Sequence, residues 1–361
     1  MFYILFIFLD MIILLYSYFR LRKLFIFLDL DLNQKKYRIL NFGLSMFILS
    51  LCIHIRSIMT LTIIHIVVIS IFLDCLSFLL KKLNIQWKIW DMIYGYILLP
   101  VVISVCLIIY GIGNMSTIRN TKYQIDTNKK IGQYHIVMLT DIHYGTIQDS
   151  SLLKEKIIEI NQQNPDIIIL GGDIVEEETS KEKMQECFAL LGKLKAKYGI
   201  YYVYGNHDRQ PYIMTPTYTS EELENTIVDC GIHTLKDEYV EINQDLILAG
   251  REDAAWGNTS NRQSSQEILE GVDRNKYIIM VDHQPIEAKE NDEQGVDLML
   301  SGHTHAGQIW PIGVVTTLRG EYNYGRFVKG NCKVIVSSGF TGWGYPVRTE
   351  GYCEYVSLYI S

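Results

Sequence analysis

Acidic residues are nearly missing from the first third of this chain. Residues 1–113 hold 5 of the 40 Asp and Glu, although they hold 10 of the 33 Lys and Arg. Proline is scarce, at 7 in 361 residues, and six of the seven fall after residue 114. No two of the seven cysteines form a CxxC pair, which argues against a Cys-ligated zinc site and a disulfide framework. The cysteines read as small apolar filler. No repeat or low-complexity tract is present, so a collagen-like or disordered chain is excluded. After residue 113, basic clusters are what is lacking: 23 Lys and Arg stand against 35 Asp and Glu. A surface built for nucleic-acid phosphates needs the opposite balance, and no nucleic-acid partner is expected.

Long apolar runs are present instead, over residues 1–19, 39–55, 57–80 and 92–113. Each is near the ~20 residues needed to cross ~30 Å of hydrocarbon as a helix. They predict an all-α membrane region of about four transmembrane helices over residues 1–113. The first run has no basic leader and no small-residue cleavage site, so it reads as a span, not a removed signal peptide. Arg20, Arg22, Lys23, Lys35, Lys36 and Arg38 lie between runs one and two, and Lys81, Lys82 and Lys88 between runs three and four. Positive loops stay in the cytoplasm. The reading is therefore a multi-pass protein of the cell membrane with its C-terminal domain on the extracytoplasmic side. Asp10, Asp74, His54 and His65 fall in or near these runs and read as interfacial or paired between helices.

Residues 114–132 are polar and read as a linker, followed by one domain over 133–361. There, short apolar runs at 134–140, 166–170, 200–204, 239–249, 277–281, 297–300, 333–337 and 352–359 read as strands. Helical spacing appears at 152–160 and 181–197. Alternating strands and helices predict an α/β layered domain.

Polar residues punctuate the strand ends: Asp141 and His143; Gly172-Asp173; Gly205-Asn206-His207-Asp208; Asp282-His283; Gly302-His303-Thr304-His305. Five of the nine histidines lie in these few residues. Ligands bind beyond the carboxyl ends of strands in open α/β sheets, so these side chains are expected on one rim. An extended D-x-H or H-x-H would turn alternate side chains to one face. Asp141, His143, Asp173, Asn206, His283, His303 and His305 offer only nitrogen and oxygen, which suits Mn²⁺, Fe or Zn²⁺. Seven ligands exceed one tetrahedral site, and two divalent metal ions sharing a carboxylate would use them all.

In the order and spacing of these motifs the chain resembles the calcineurin-like metallophosphoesterase superfamily, over roughly residues 134–361. Residues 302–308 and 338–348 are similar to its YkuE-like membrane-associated branch, whose relatives include lipid-related pyrophosphatases. The resemblance implies a four-layer α/β/β/α metallophosphoesterase sandwich. It implies one metal on Asp141, His143, Asp173 and His305 and another on Asp173, Asn206, His283 and His303, with Asp173 bridging. It implies in-line attack by a metal-bridging hydroxide, with His207 as a catalytic residue at the phosphoryl group and Asp208 orienting its imidazole. Arg348 and Arg209 are candidate phosphate contacts. Trp256, Trp310, Trp343, Tyr322, Tyr324 and Tyr345 are candidates to wall a bulky substrate. Residues 176–178, all glutamate, read as a solvated acidic run.

The expected function is a membrane-anchored phosphohydrolase acting on a phosphoester, phosphodiester or pyrophosphate of a phosphorylated small molecule or a lipid-linked, cell-envelope substrate. The alternative is a non-catalytic membrane receptor or scaffold on the same fold. A complete ligand set favours the enzyme.

Overall fold

The computed structural model describes residues 2–54, 56–85, 90, 97–147, 150–254 and 262–361. It divides into two compact units, Met1–Ile112 and Gly113–Ser361.

The helices of the first part of the chain are α1 (Phe2–Phe27), α2 (Lys35–Ser50), α3 (Ile58–Lys82) and α4 (Leu98–Met115). Among the described residues, α3 and α4 are long and apolar enough to cross a membrane. This corrects the expectation of about four spans. α2 has 16 residues, short of a full crossing. α1 incorporates Arg20, Arg22 and Lys23, which the sequence had suggested as a loop beyond it. Part of the run at 92–113 lies outside the described residues. Asp74 of α3 accepts a hydrogen bond from Tyr16 Oη at 2.7 Å and pairs with Lys23 at 3.1 Å and Arg20 at 3.5 Å, all on α1. His65 is buried, with Nδ1 2.9 Å from Leu61 O.

The second unit holds two six-stranded sheets. Its strands are β1 (Ile118–Ile125), β2 (Tyr134–Leu139), β3 (Ile167–Leu170), β4 (Ile200–Tyr202), β5 (His233–Thr234), β6 (Glu238–Glu241), β7 (Leu246–Gly250), β8 (Tyr277–Val281), β9 (Leu298–Ser301), β10 (Gly325–Lys329), β11 (Cys332–Val336) and β12 (Cys353–Ile360). The orders are β1-β12-β2-β3-β4-β5 and β10-β11-β9-β8-β7-β6. β2 to β5 run parallel, as do β7, β8, β9 and β11. Helices α5 (Ser150–Gln162), α6 (Lys181–Leu191), α7 (Ser220–Asp229), α8 (Ser265–Ile268), α9 (Ala288–Glu293) and α10 (Ile312–Leu318) complete it.

Side-chain alternation explains why the central strands read as unbroken apolar runs. Ile136 and Met138 of β2 and Ile167 and Ile169 of β3 share one core with Ile279 of β8 and Leu298 and Leu300 of β9. Val137, Leu139, Ile168 and Leu170, on the opposite faces of β2 and β3, pack instead with Ile157 of α5, Phe188 of α6 and Ile227 of α7. Ile278 and Met280 of β8 and Met299 of β9 pack with Ile268 of α8 and Ala288 of α9. Both faces of these strands are covered, as is usual for parallel sheets.

Three expectations are corrected here. Residues 118–125, expected in the linker, form edge strand β1, paired with β12 from Ile118 opposite Cys353 to Ile125 opposite Ile360. Only Ile118 and Ile125 of its side chains are buried, so the polar run between them hid the strand. Residues 239–249 are two strands, because Asn243 Oδ1 accepts from Asp245 N and Leu246 N and turns the chain. The helix begun at Lys181, capped by Ser180, stops at Leu191 instead of 197. A side chain on the next residue, Gly192, would strike Cys230 O.

Candidate metal centre

Strands β2, β3, β4, β8 and β9 each end in a turn that carries one or more of the expected site residues. Asp141 follows β2, Asp173 follows β3, Asn206 and His207 follow β4, His283 follows β8, and His303 and His305 follow β9. Asp141, His143, Asp173, His303 and His305 have φ of +53°, +43°, +51°, +71° and +51°. Non-glycine residues rarely adopt this left-handed conformation, and such strain collects at functional sites. Backbone bonds between neighbouring ends hold it: Asp141 N donates to Gly172 O at 2.9 Å, His143 N to Asp173 O at 3.0 Å, and Gly302 N to His283 O at 2.9 Å. The expected extended alternation is therefore not the device. Tight turns are, and they send His303 and His305 to different groups.

Those groups are Asp141, His143 and His305, and Asp173, His283 and His303. Within each, one ligand atom per residue lies within 4.8 Å of the others. His305 Nε2 is 3.3 Å from His143 Nε2 and 3.4 Å from Asp141 Oδ1. Asp173 Oδ2 is 3.0 Å from His283 Nε2 and 3.9 Å from His143 Nε2, so a single carboxylate oxygen faces both groups. Asn206 is held beside Asp173, because His207 N donates to Asp173 Oδ1 at 2.8 Å. Its Nδ2 points to Tyr212 Oη at 3.3 Å, and its buried Oδ1 has no hydrogen-bond partner. A buried amide oxygen without a donor is costly. A cation would satisfy it, and this donor set fits two divalent ions.

The buried groups shift one another in both directions, and although burial opposes its charge, His283 is raised well above its ordinary value by the carboxylates. Burial opposes the charge of Asp173, yet His283, His207 and His143 hold its carboxyl well below the usual range. Burial pushes the Asp141 carboxyl up. Burial and the neighbouring His283 lower His303 to about 4. His305 is likewise lowered by burial and by His143. Both rings are thus neutral at pH 7, the form that ligates metal. Outer contacts fix ring orientations: His283 Nδ1 lies 2.8 Å from Gly171 O, and His305 Nδ1 3.2 Å from Thr341 O.

Two expected roles change. Asp208 does not orient His207. Its fully buried carboxylate accepts from the backbone N–H of Asp173, Ile174, Val175 and Gly205, at 2.7 to 3.1 Å, and so ties the β3 turn to the β4 turn. The carboxylate at His207 is Glu177, whose Oε2 is 2.7 Å from His207 Nδ1. Arg348 does not reach a substrate. It is fully buried, and its guanidinium donates to His305 O at 2.8 Å and to Thr341 O, making it a positioning residue for His305. Arg209 is committed to Glu252 through a bidentate pair at 2.7 and 2.8 Å and lies over the Tyr204 ring.

Glu176 and Glu177 are the residues that sequence reasoning missed. Glu176 is buried, with Oε2 3.0 Å from His143 Nδ1. Their proximity to Asp173 in the chain was the available signal, since a ligand's loop often supplies its own outer contacts. Of the aromatic candidates, Trp343 stands at His207, with ring centres 5.3 Å apart, and Tyr212 joins it at 5.1 Å. Tyr322 packs on Phe327 and Tyr324 donates to Glu354. Trp256 lies outside the described residues.

Residues 134–307 match the model of the calcineurin-like phosphoesterase family. The chain is 31% identical over 238 residues to an uncharacterized metallophosphoesterase of Helicobacter pylori, covering 64% of this chain and 60% of that protein. It is 27% identical over 279 residues to a transmembrane protein with metallophosphoesterase domain of Danio rerio, covering 72% and 61%. It is 30% identical over 224 residues to the uncharacterized metallophosphoesterase YkuE of Bacillus subtilis, covering 60% and 74%. The match thus spans about 60% of the length of the Helicobacter relative.

Proposed function

This chain belongs to the calcineurin-like phosphoesterase family, and from that premise we propose that it is a membrane-anchored phosphohydrolase using two divalent cations to cleave a phosphoester, phosphodiester or pyrophosphate bond. The observation that carries the reading is the single oxygen Asp173 Oδ2 facing His283 Nε2 at 3.0 Å and His143 Nε2 at 3.9 Å. Asp141, His143 and His305 would hold one cation and Asn206, His283 and His303 the other, with Asp173 shared. Mn²⁺, Fe and Zn²⁺ suit these donors. Bound there, the pair supplies Lewis-acid stabilisation of the phosphoryl oxygens and an activated water. His207 stays off the cations. Glu177 accepts from Nδ1–H and favours the imidazolium form, whose Nε2–H would donate its proton to the departing oxygen. Trp343 and Tyr212 flank that ring and limit its access to water. The layer order α/β/β/α belongs to the same reading and is supported by the three core clusters.

The two apolar helices and the membrane-named relative support anchoring. The basic residues in the last part of α1, the first turn of α2 and the last turn of α3 support an extracytoplasmic catalytic domain, and with anchoring they favour a lipid-linked or cell-envelope substrate. The test is hydrolysis of bis-p-nitrophenyl phosphate by the purified chain with Mn²⁺. Asp173→Ala and His207→Ala are each expected to lose about 100-fold or more in kcat/KM. Wild-type turnover in either variant sinks the mechanism. Protease digestion of intact cells, expected to remove the C-terminal domain, tests its side of the membrane.

A further inference from the structure

The loop that carries His303 and His305 runs on into a helix whose composition does not suit water. In α10, Ile312, Val314, Val315 and Leu318 are 52%, 46%, 51% and 82% exposed. The helix contains no charged residue. Its two hydroxyls turn back to its own backbone: Thr316 Oγ1 donates to Ile312 O at 2.9 Å and Thr317 Oγ1 to Gly313 O at 2.8 Å. A surface helix in water does the reverse, burying its apolar stripe and presenting charge. The one buried residue of α10 is Gly313. There the helix meets the rest of its unit, because Gly313 N donates to Glu350 Oε2 at 2.8 Å and a Cβ would collide with Ala306 O and the Glu350 carboxyl.

Residues 348–351 link this helix to the end of an apolar one. Trp310 N, just before α10, donates to Thr349 Oγ1 at 2.9 Å, and Gly313 N donates to Glu350. On the other side, Asn114 Nδ2 donates to Gly351 O at 2.8 Å and Arg348 O at 3.1 Å. Asn114 lies in the last turn of α4, one of the two helices fit to cross a membrane. The exposed apolar side chains are therefore tied, through four consecutive residues, to the point where the chain leaves an apolar span. Trp343, 40% exposed and held by its backbone N–H, which donates to Gln308 Oε1 at 2.8 Å, adds an aromatic ring of the kind enriched at headgroup level.

We infer that α10 is a membrane-dipping helix that lays Ile312, Val314, Val315 and Leu318 into the bilayer surface and holds the His303–His305 loop at the height of lipid headgroups. The occupant assigned to this face is lipid, because the short segment 348–351 that anchors α10 also holds Asn114 in the last turn of α4. The inference rests on the membrane anchoring proposed above. It names the phosphates within reach as those of headgroups and lipid-linked molecules.

The test uses the full chain in phosphatidylcholine–phosphatidylglycerol vesicles. Leu318→Trp is compared with Val228→Trp, a position on α7 that is 57% exposed. Tryptophan emission is read with and without bromine on the lipid acyl chains, and the wild-type signal is subtracted. The added ring at 318 is expected to lose about half its emission to the brominated chains, since an interfacial helix sits ~5–10 Å deep. The ring at 228 is expected to be unaffected. Val315→Trp repeats the measurement should Leu318→Trp fail to turn over bis-p-nitrophenyl phosphate. Equal quenching at 318 and 228, or none at 318, overturns the inference. So does a blue-shifted emission at 318 without quenching, which would mean that a second copy covers the face. Wild-type protein that does not float with the vesicles sinks the anchoring and the inference together. Inactive protein with position 318 still quenched sinks the phosphohydrolase reading and leaves α10 in the bilayer.

Discussion

Glu177 sets the charge of the one imidazole that the cations do not need. Burial alone would lower His207, yet the hydrogen bond its ring donates to Glu177 and the nearby Asp173 carboxylate outweigh it and push the ring from its ordinary 6.5 to about 8. A raised value means the proton is kept below pH 8 and lost as pH climbs past it. The acid form of His207 is the useful one, so the alkaline limb of the activity profile should fall near that value. Glu177→Gln keeps the shape of the side chain and removes its charge. We expect the alkaline limb of kcat/KM to move from about 8 toward 6.5, with a loss on the order of 10-fold at pH 8, one pKa unit being worth a factor of ten. The pH profile separates this from damage to the metal site, which would depress activity at every pH. Glu177 was masked in the sequence because three successive glutamates look like a solvated face, and nearness to Asp173 in the chain was the one signal against that reading. Only the reversal after β3 turns Glu176 and Glu177 inward, and that reversal depends on Asp208, 35 residues further on.

Among the elements, the strand-to-loop turns hold the site, and their glycines are the most sensitive points. A Cβ on Gly205 would run into the Asp173 carboxylate and backbone nitrogen, and one on Gly302 would run into Asp141 and Thr140. Neither glycine has a side chain to offer a cation, but each leaves room for a carboxylate of the proposed metal centre. Gly205→Ala is therefore expected to raise the Mn²⁺ concentration needed for half-maximal activity by about 10- to 100-fold, as loss of an outer support does, and to recover much of its rate at saturating Mn²⁺. An unchanged metal requirement would mean that Asp173 tolerates the shift. These turns were legible as motifs because Gly, Asp, Asn and His cluster at strand ends. Their conformation was not. The D-x-H spacing suggests an extended segment, whereas left-handed residues at Asp141 and His143 fold it into a reversal fixed by bonds to β3. The same limit explains the elements that were missed. β1 is a polar edge strand whose identity comes from its partner β12, and β5 has two residues that pair with β4. Strands buried on both faces were readable because a continuous run of Ile, Leu and Val needs no partner to announce itself.

On the scale of the whole molecule, the chain joins two cores of different kinds. The helical unit packs a small cluster around Ile13, Cys52 and Ile63, while the second unit holds the three large clusters and every candidate ligand. Cations bound to the native site stabilise only the core that contains it, because the ligands come from separate strand ends and disperse on unfolding. Each bound Mn²⁺, at about 100 times its dissociation constant, adds roughly 2.7 kcal/mol to the folded state, so a pair adds roughly 5 kcal/mol. For a unit of roughly 250 residues this corresponds to about 10–20 °C in melting temperature. The expected result, read by scanning calorimetry of the full chain in detergent, is one transition that rises by that amount with Mn²⁺ and falls with a chelator. Melting of the helical unit should not respond. The Asp141→Asn, Asp173→Asn double variant should abolish the rise while leaving the metal-free transition in place. The amides keep the shape of the carboxyls, and the buried imidazoles that faced them can shed their protons, so the metal-free fold is retained. A rise that survives in this variant would place the stabilising cations elsewhere in the chain.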